Sequence, residues 1–239
     1  MAKTAVVMQP SYLPWVGYFD LMDQADVFVL LDNVQFAKRS WHQRNRVKGP
    51  QGELMLTVPV RSKGRFAQRI ADVEIDVDRN FSATHVRSVR LAYSRAPYAE
   101  RYLAAWEAIL ERGHSRLVAL NTDLILWFRD ALGLRTPVVR SSTLDVAGKR
   151  SELLVDICRA VGADSYLSPP GSRAYIEGHD LFAANGIALR YQVYRPPQYR
   201  QLHGAFIASL SVLDLLLNEG PESLSIIRSG RGAPHGGEP

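Results

Sequence analysis

Two short apolar runs flank a single helical pattern at the start of this chain, and that alternation constrains the fold more than anything after it. Ala5 to Met8 reads as a buried strand that stops at Gln9-Pro10. Pro14 then opens a helical pattern, with Trp15, Phe19 and Met22 at i, i+4 and i+7 on one face. Asp26 to Asp32 (DVFVLLD) is a second buried strand. Strand, helix and strand within about thirty residues predict a βαβ unit. Two more such units are predicted further on. Pro137 to Arg140, Ser151 to Val161 and Ser165 to Leu167 form one, and Ala174 to Ala184 with Ile187 to Tyr194 completes the other. Between them, Arg44 to Lys48 and Glu53 to Val60 flank Gly49-Pro50-Gln51-Gly52, the pattern of an antiparallel hairpin. Ala71, Val73, Ile75 and Val77 alternate with acidic residues and read as a half-exposed strand. Residues 80–134 carry helical stripes, and a last helix is expected over Ser209 to Asn218.

The predicted fold is therefore α/β: a mainly parallel open sheet built from βαβ units, with an antiparallel hairpin and a helical insertion at about 38–134. Residues 1–228 are expected to form a single domain and 229–239 a disordered tail, which includes His235.

Composition narrows the class. Apolar residues make up 46% and charged residues 22% of 239, which excludes wholesale disorder, collagen and coiled coil. The one cysteine, Cys158, allows neither an internal disulfide nor a multi-cysteine zinc site, and it falls among apolar residues of a predicted helix. The N-terminus lacks the pattern of a signal peptide, and the longest apolar stretch, Leu117 to Leu134, is broken by Asn121, Asp123, Arg129 and Asp130. A cytoplasmic, reducing compartment without a membrane span is expected.

Charge is uneven. Lys38 to Arg69 holds nine basic residues and one acidic residue, Glu53, a local +8 in a chain whose net charge is +5. A focused basic surface implies an anionic partner, while a solvated basic face is the plainer alternative.

In open parallel sheets, ligands bind beyond the carboxyl ends of the strands. The residues expected there are polar and aromatic. Gln9, Tyr12 and Trp15 follow the first strand. Asp32 and Gln35 follow the second and lead to Lys38, Arg39, Trp41, Arg44, Asn45 and Arg46. Gly171, Ser172 and Arg173 precede a helix and resemble an anion cradle, and Tyr194 and His203 follow the fifth strand. Asp32 and His203 are the expected proton-transfer groups, and the others are expected to bind substrate. No G-x-G-x-x-G, G-K-[ST], H-E-x-x-H or G-x-S-x-G occurs, so no motif names a cofactor or metal.

Several of these segments are recognisable together. Gln9 to Phe19 (QPSYLPWVGYF), Asp26 to Phe36 (DVFVLLDNVQF), Lys38 to Trp41 (KRSW) and Arg44 to Arg46 (RNR) resemble the signature of the WbqC-like family. Ser168 to Tyr175 (SPPGSRAY) and Gly204 to Asn218 (GAFIASLSVLDLLLN) are similar to its later blocks, with Ala208 standing where proline is expected. The resemblance covers residues of about 4–222. It implies a context in bacterial surface-polysaccharide (O-antigen) or other secondary biosynthesis, and it brings no agreed reaction.

Three functions follow as expectations. The first is a transferase acting on a phosphate-bearing activated metabolite, such as a nucleotide-sugar or acyl donor. The second is a non-catalytic partner in a glycan-assembly complex. The third is nucleic-acid binding through the basic segment, with tRNA as one such partner. The oligomeric state is open.

Overall fold

A computed structural model describes residues 2–173, 176, 179–232 and 235–236. The chain opens with β1 (Thr4–Met8), α1 (Val16–Asp23) and β2 (Val27–Leu30), the βαβ unit read from the sequence. The hairpin β3 (Arg44–Gly49) and β4 (Gly52–Thr57) follows, with Gly49 opposite Gly52 and Pro50-Gln51 as its tip. Three helices come next: α2 (Phe81–Tyr93), α3 (Ala99–Leu110) and α4 (Leu117–Ala131). The chain then re-enters the sheet through β5 (Val138–Arg140), α5 (Ser151–Ala160), β6 (Ser165–Ser168), α6 (His179–Ala184) and β7 (Ala188–Tyr191). It ends in α7 (Val212–Glu219), α8 (Ser223–Ser229) and a two-residue strand, β8 (His235–Gly236). The predicted start of α6 at Ala174 lies outside the described residues, apart from Ile176.

The main sheet has the order β5-β2-β1-β6-β7, all parallel, with β8 antiparallel on the β7 edge. β1 is central and buried on both faces, which is why it reads as a continuous apolar run. Its side chains alternate between two cores. Ala5 and Val7 join Val29, Tyr166, Ile157 and Cys158 on one face. Val6 joins Phe28, Leu30, Phe19, Trp106, Leu120 and Leu216 on the other. Hairpin residues Val47 and Leu56 belong to this second cluster, so the insertion shares the core of the sheet. Cys158 is fully buried and its thiol is pushed up to about 12 by burial, as suits a packing residue.

Two expectations are corrected. Residues 71–77 do not form a strand of a sheet. Val73 and Ile75 are buried, but the segment lies between 3-10 turns at Ile70–Asp72 and Val77–Arg79 and makes only the single bridges Val60–Ile75 and Glu74–Arg116. Its acidic residues instead receive arginines. Asp72 pairs with Arg69 (2.9 Å), Glu74 with Arg65 (2.8 Å), and Asp78 with Arg61 (3.2 Å). Lys48 of the same basic run is buried, its Nζ donating to the carbonyls of Gly204 (3.2 Å) and Ala205 (2.6 Å). Much of the expected basic surface is therefore neutralised within the fold.

The second correction concerns the tail, which is held in part. Arg228 pairs with Asp23 (2.7 Å), and Arg231 donates to the fully buried Asp20 (2.8 Å). Gly230 packs against the Arg195 carbonyl and Gly232 against Val193, so residues 228–232 strap α1 to the chain after β7. A buried carboxylate such as Asp20 requires a paired charge, and Arg231 supplies it.

The loop before α7 is fixed by a buried carboxylate. Asp214 accepts from Tyr93 (2.6 Å), Tyr199 (2.7 Å) and Gln201 (2.9 Å). Among the described residues, no helix is long and apolar enough to cross a membrane.

Burial alone would raise the Asp23 pKa, but Arg228 and Arg231 outweigh it and hold the carboxyl below its ordinary value. A lowered carboxylate pKa stabilises docking above the usual carboxylate range, and the gain is lost as pH falls through the lowered value. Amide exchange at residues 228–232, corrected for intrinsic rates, is therefore expected to be slow at neutral pH and to accelerate on acidification. Arg231→Ala should make it fast throughout.

Candidate functional site

The strand order reverses between β1 and β6. β2 and β5 extend the sheet to one side of β1, and β6 and β7 extend it to the other. Crossovers to opposite sides leave a crevice beyond the carboxyl ends of the two central strands. A cavity of about 890 Å³ occupies that crevice. Met8 and Gln9 at the end of β1, and Pro169 and Ser172 after β6, form its floor and one flank. Trp41, His42, Asn45 and Arg46 reach it from the hairpin side, and Arg150, Ser151 and Leu154 from the start of α5.

The turn from β1 into α1 is shaped by its neighbours. Asn45 donates its amide to the carbonyls of Tyr12 (3.2 Å) and Leu13 (2.7 Å). This holds Leu13 at φ 45°, a left-handed conformation that a bulky residue rarely adopts. Trp15 then lies against Gly17, where an added Cβ would come within 2.3 Å of the indole. The far edge of Trp15 meets Tyr194 at 5.8 Å between ring centroids. Trp15 itself lines the cavity, so glycine at 17 lets the indole lie back against α1.

Among the described residues lining the cavity there is no carboxylate, and the charged ones are Arg46 and Arg150. Arg46 donates Nη1 to Glu53 (2.6 Å), lies 5.5 Å over the ring of Trp41, and keeps a buried Nε without a protein partner. His42 is buried and bonded through Nε2 to the Gln9 carboxamide (2.9 Å); burial pushes its pKa down to about 4, so the ring is neutral at physiological pH. Tyr18 and Tyr166 also line the wall, and burial raises both phenols, so they stay protonated.

Of the residues expected at the site, Gln9, Trp15, Trp41, Asn45, Arg46 and Ser172 line one cavity. Tyr12 and Tyr194 stand behind its wall: Tyr12 is fully buried on His85 (2.8 Å) and Tyr194 backs Trp15. Gly171 and Arg173 flank Ser172 without lining the cavity, and Arg173 sits 4.7 Å over the ring of Tyr191. Arg44 begins β3 outside the lining. Gln35, Lys38 and Arg39 lie on the outer surface. Gln35 donates to the Phe66 carbonyl (3.0 Å), Lys38 lies over the Phe66 ring (4.8 Å), and the Arg39 amide donates to Gln43 (3.2 Å).

The two expected proton-transfer groups lie elsewhere. Asp32 is fully buried and its oxygens are occupied by Arg140 (2.7 Å), Ser141 (3.1 Å) and both the amide and hydroxyl of Ser142 (2.8 Å each). It welds the end of β2 to the end of β5. In dinucleotide-binding folds a carboxylate at this place reads a ribose, and here no oxygen is spare for that. His203 is exposed, has φ 63°, and bonds the Ala92 carbonyl (2.7 Å). It anchors the 199–210 loop to α2.

Residues that the sequence did not single out complete the wall. His42, Tyr18 and Leu154 all line it. Arg150 carried no signal, and Ser209 was expected to open the last helix, which begins instead at Val212; both line the cavity at positive φ, 52° and 57°. Backbone strain clusters at functional rims. No cluster of three or more potential metal ligands occurs among the described residues.

A family model described as the WbqC-like protein family matches residues 9–226, which takes in the turn after β1, the hairpin, and β6 with the loop after it. The chain belongs to the WbqC-like protein family. A Mycobacterium tuberculosis protein described as uncharacterized protein Rv1507c is 37% identical over 232 residues, covering 95% of this chain and 98% of its own length. No solved structure matches this chain. The match begins at Gln9, and the Gln9-to-Phe19 block forms the turn and first helix that wall the cavity.

Two substitutions separate site from scaffold. Gly17→Ala should drive the Trp15 indole into the cavity, seen as a changed tryptophan emission and lost ligand binding in a folded protein. Asp32→Ala should lower the unfolding free energy by about 3 kcal/mol in urea, because Arg140 and two serines lose their buried acceptor.

Proposed function

We propose that this cavity binds a phosphate-bearing activated metabolite, of the class of nucleotide-linked sugars and acyl donors, and that the protein transfers the activated group in bacterial surface-polysaccharide or secondary biosynthesis. One observation carries the reading: the crevice at the strand-order reversal is lined by no described carboxylate and by Arg46, which donates Nη1 to Glu53 and keeps an Nε without a partner among the described residues. Such a wall attracts an anion and repels nothing about it. Its volume, about 890 Å³, falls within the range of about 300–1,000 Å³ that small-molecule sites occupy.

In this reading Arg46 donates to phosphate oxygens by charge-assisted hydrogen bonds. Trp41 and Trp15 pack against the flat part of the ligand, and the hydroxyls of Ser11, Ser40, Ser172 and Ser209 meet its polar edge. With Asp32 and His203 outside the cavity, rate enhancement rests on positioning and on cationic stabilisation of the leaving phosphate.

The family placement supports the biosynthetic context through its name. The nucleic-acid reading loses much of its electrostatic basis, since Arg61, Arg65 and Arg69 are paired with Asp78, Glu74 and Asp72. A partner-protein reading draws on Trp41 and Phe66, which are 50% and 76% exposed. Stoichiometric recovery of a partner that is lost with Phe66→Ala would favour it.

The test is a thermal-shift panel of nucleotide-sugars and acyl-nucleotides. At a hundredfold excess over Kd, a cognate ligand adds about 2.7 kcal/mol, a rise of roughly 5–10 °C for a chain of this size. Arg46→Ala should weaken that ligand at least tenfold. A panel without any shift overturns the reading.

A further inference from the structure

The exit of β1 is tied to α4 and to the segment before the hairpin by several hydrogen bonds. Asn121, fully buried on α4, donates its amide to the carbonyls of Pro10 (3.0 Å) and His42 (2.8 Å). The Tyr12 amide donates to the Trp41 carbonyl (3.0 Å), and Tyr18 donates to the Gln9 carbonyl (3.4 Å). Two segments more than thirty residues apart are thereby fixed in register, and what they bring together is the pair of side chains Gln9 and His42.

The pair has a definite polarity. The imidazole is 4% exposed, packs at 5.6 Å on Phe36, and has a buried Nδ1 without a partner. A neutral imidazole carries one proton. Placed on Nδ1, that proton would be a buried donor with no acceptor, which is rarer and costlier than a bare acceptor. The proton therefore sits on Nε2 and is donated to Oε1 of Gln9. The Gln9 amide is then turned so that its Nε2 protons face away from His42. Gln9 is exposed and lines the cavity, and among the described residues no acceptor takes those protons.

We propose that the Gln9 carboxamide is the specificity-determining donor of this site, giving a hydrogen bond to a phosphoryl or carbonyl oxygen of the ligand, and that His42 is the positioning residue that orients it. The proposal rests on the ligand reading above. It adds that recognition at the β1 end comes from a neutral, directional donor, whereas the charge comes from Arg46 on the hairpin side. A ligand that offers an oxygen acceptor there is preferred over one that offers an amine or hydroxyl proton.

The experiment follows the side-chain amide of Gln9 and the indole N–H groups by 15N correlation NMR during titration with sodium pyrophosphate and with UDP-N-acetylglucosamine. The ring-nitrogen shifts of His42 are read in the free protein. The expected result is an Nε2-protonated His42, and Gln9 amide signals that move with the same saturation curve as Trp41. Gln9→Met should weaken binding at least fivefold, and His42→Phe should displace the Gln9 amide signals before any ligand is added. The Gln9→Met arm stands alone if His42→Phe does not fold. Movement at Trp41 without movement at Gln9, or an Nδ1-protonated His42, overturns this proposal and leaves the ligand reading standing. No movement anywhere with either probe overturns the ligand reading and this proposal with it.

Discussion

Burying β1 on both faces is the constraint on which the rest depends. A parallel strand with apolar side chains above and below must be covered by helices on each side, and its neighbours must arrive through crossovers. Here the crossover from β1 leads to β2 on one side, and the chain returns from β5 through α5 to place β6 on the other. The open edge nearest the middle of the molecule is then the carboxyl rim of β1 and β6. The cavity is the geometric result of that strand order.

That rim contains polar backbone turned away from the sheet ladders, and buried amides satisfy it. Asn45 serves the carbonyls of Tyr12 and Leu13, and Asn121 serves those of Pro10 and His42. Gln192 does the same on the far side of α1, donating to the Gly17 carbonyl (3.0 Å) and to Asp20 (2.6 Å). Each amide joins elements distant in sequence. The strained Leu13 sits where one such tie fixes the chain, so the turn that walls the cavity is held by the fold itself.

The architecture was legible because burial leaves periodic marks. The run Ala5–Met8, the Trp15–Phe19–Met22 stripe and the Gly49–Gly52 turn each report a local packing requirement. The alternation at 71–77 misled because a ribbon with Val73 and Ile75 inward and arginine-paired acids outward has the same period as a strand. Charge was less legible still. The +8 of residues 38–69 is a property of sequence order, while Arg65 on Glu74 and Lys48 on the Gly204 carbonyl are properties of space. The site was half legible for a related reason. Position after a strand pointed to Gln9 and Trp15, which line the cavity together with Arg46 of β3. It could not tell that Asp32 would be consumed by Arg140, Ser141 and Ser142, or that His42 would turn inward to meet Gln9.

Lys48 lies two residues along β3 from Arg46, and its ammonium is anchored in the loop that carries Ser209. The same loop is pinned to Asp214 through Tyr199 and Gln201. One wall of the crevice and its roof are thus a single braced unit, with the lysine stem as a strut of fixed length. A swing of the hairpin away from that loop would have to break both carbonyl contacts of the lysine, whereas the Trp41 ring at the cavity edge stands half in solvent.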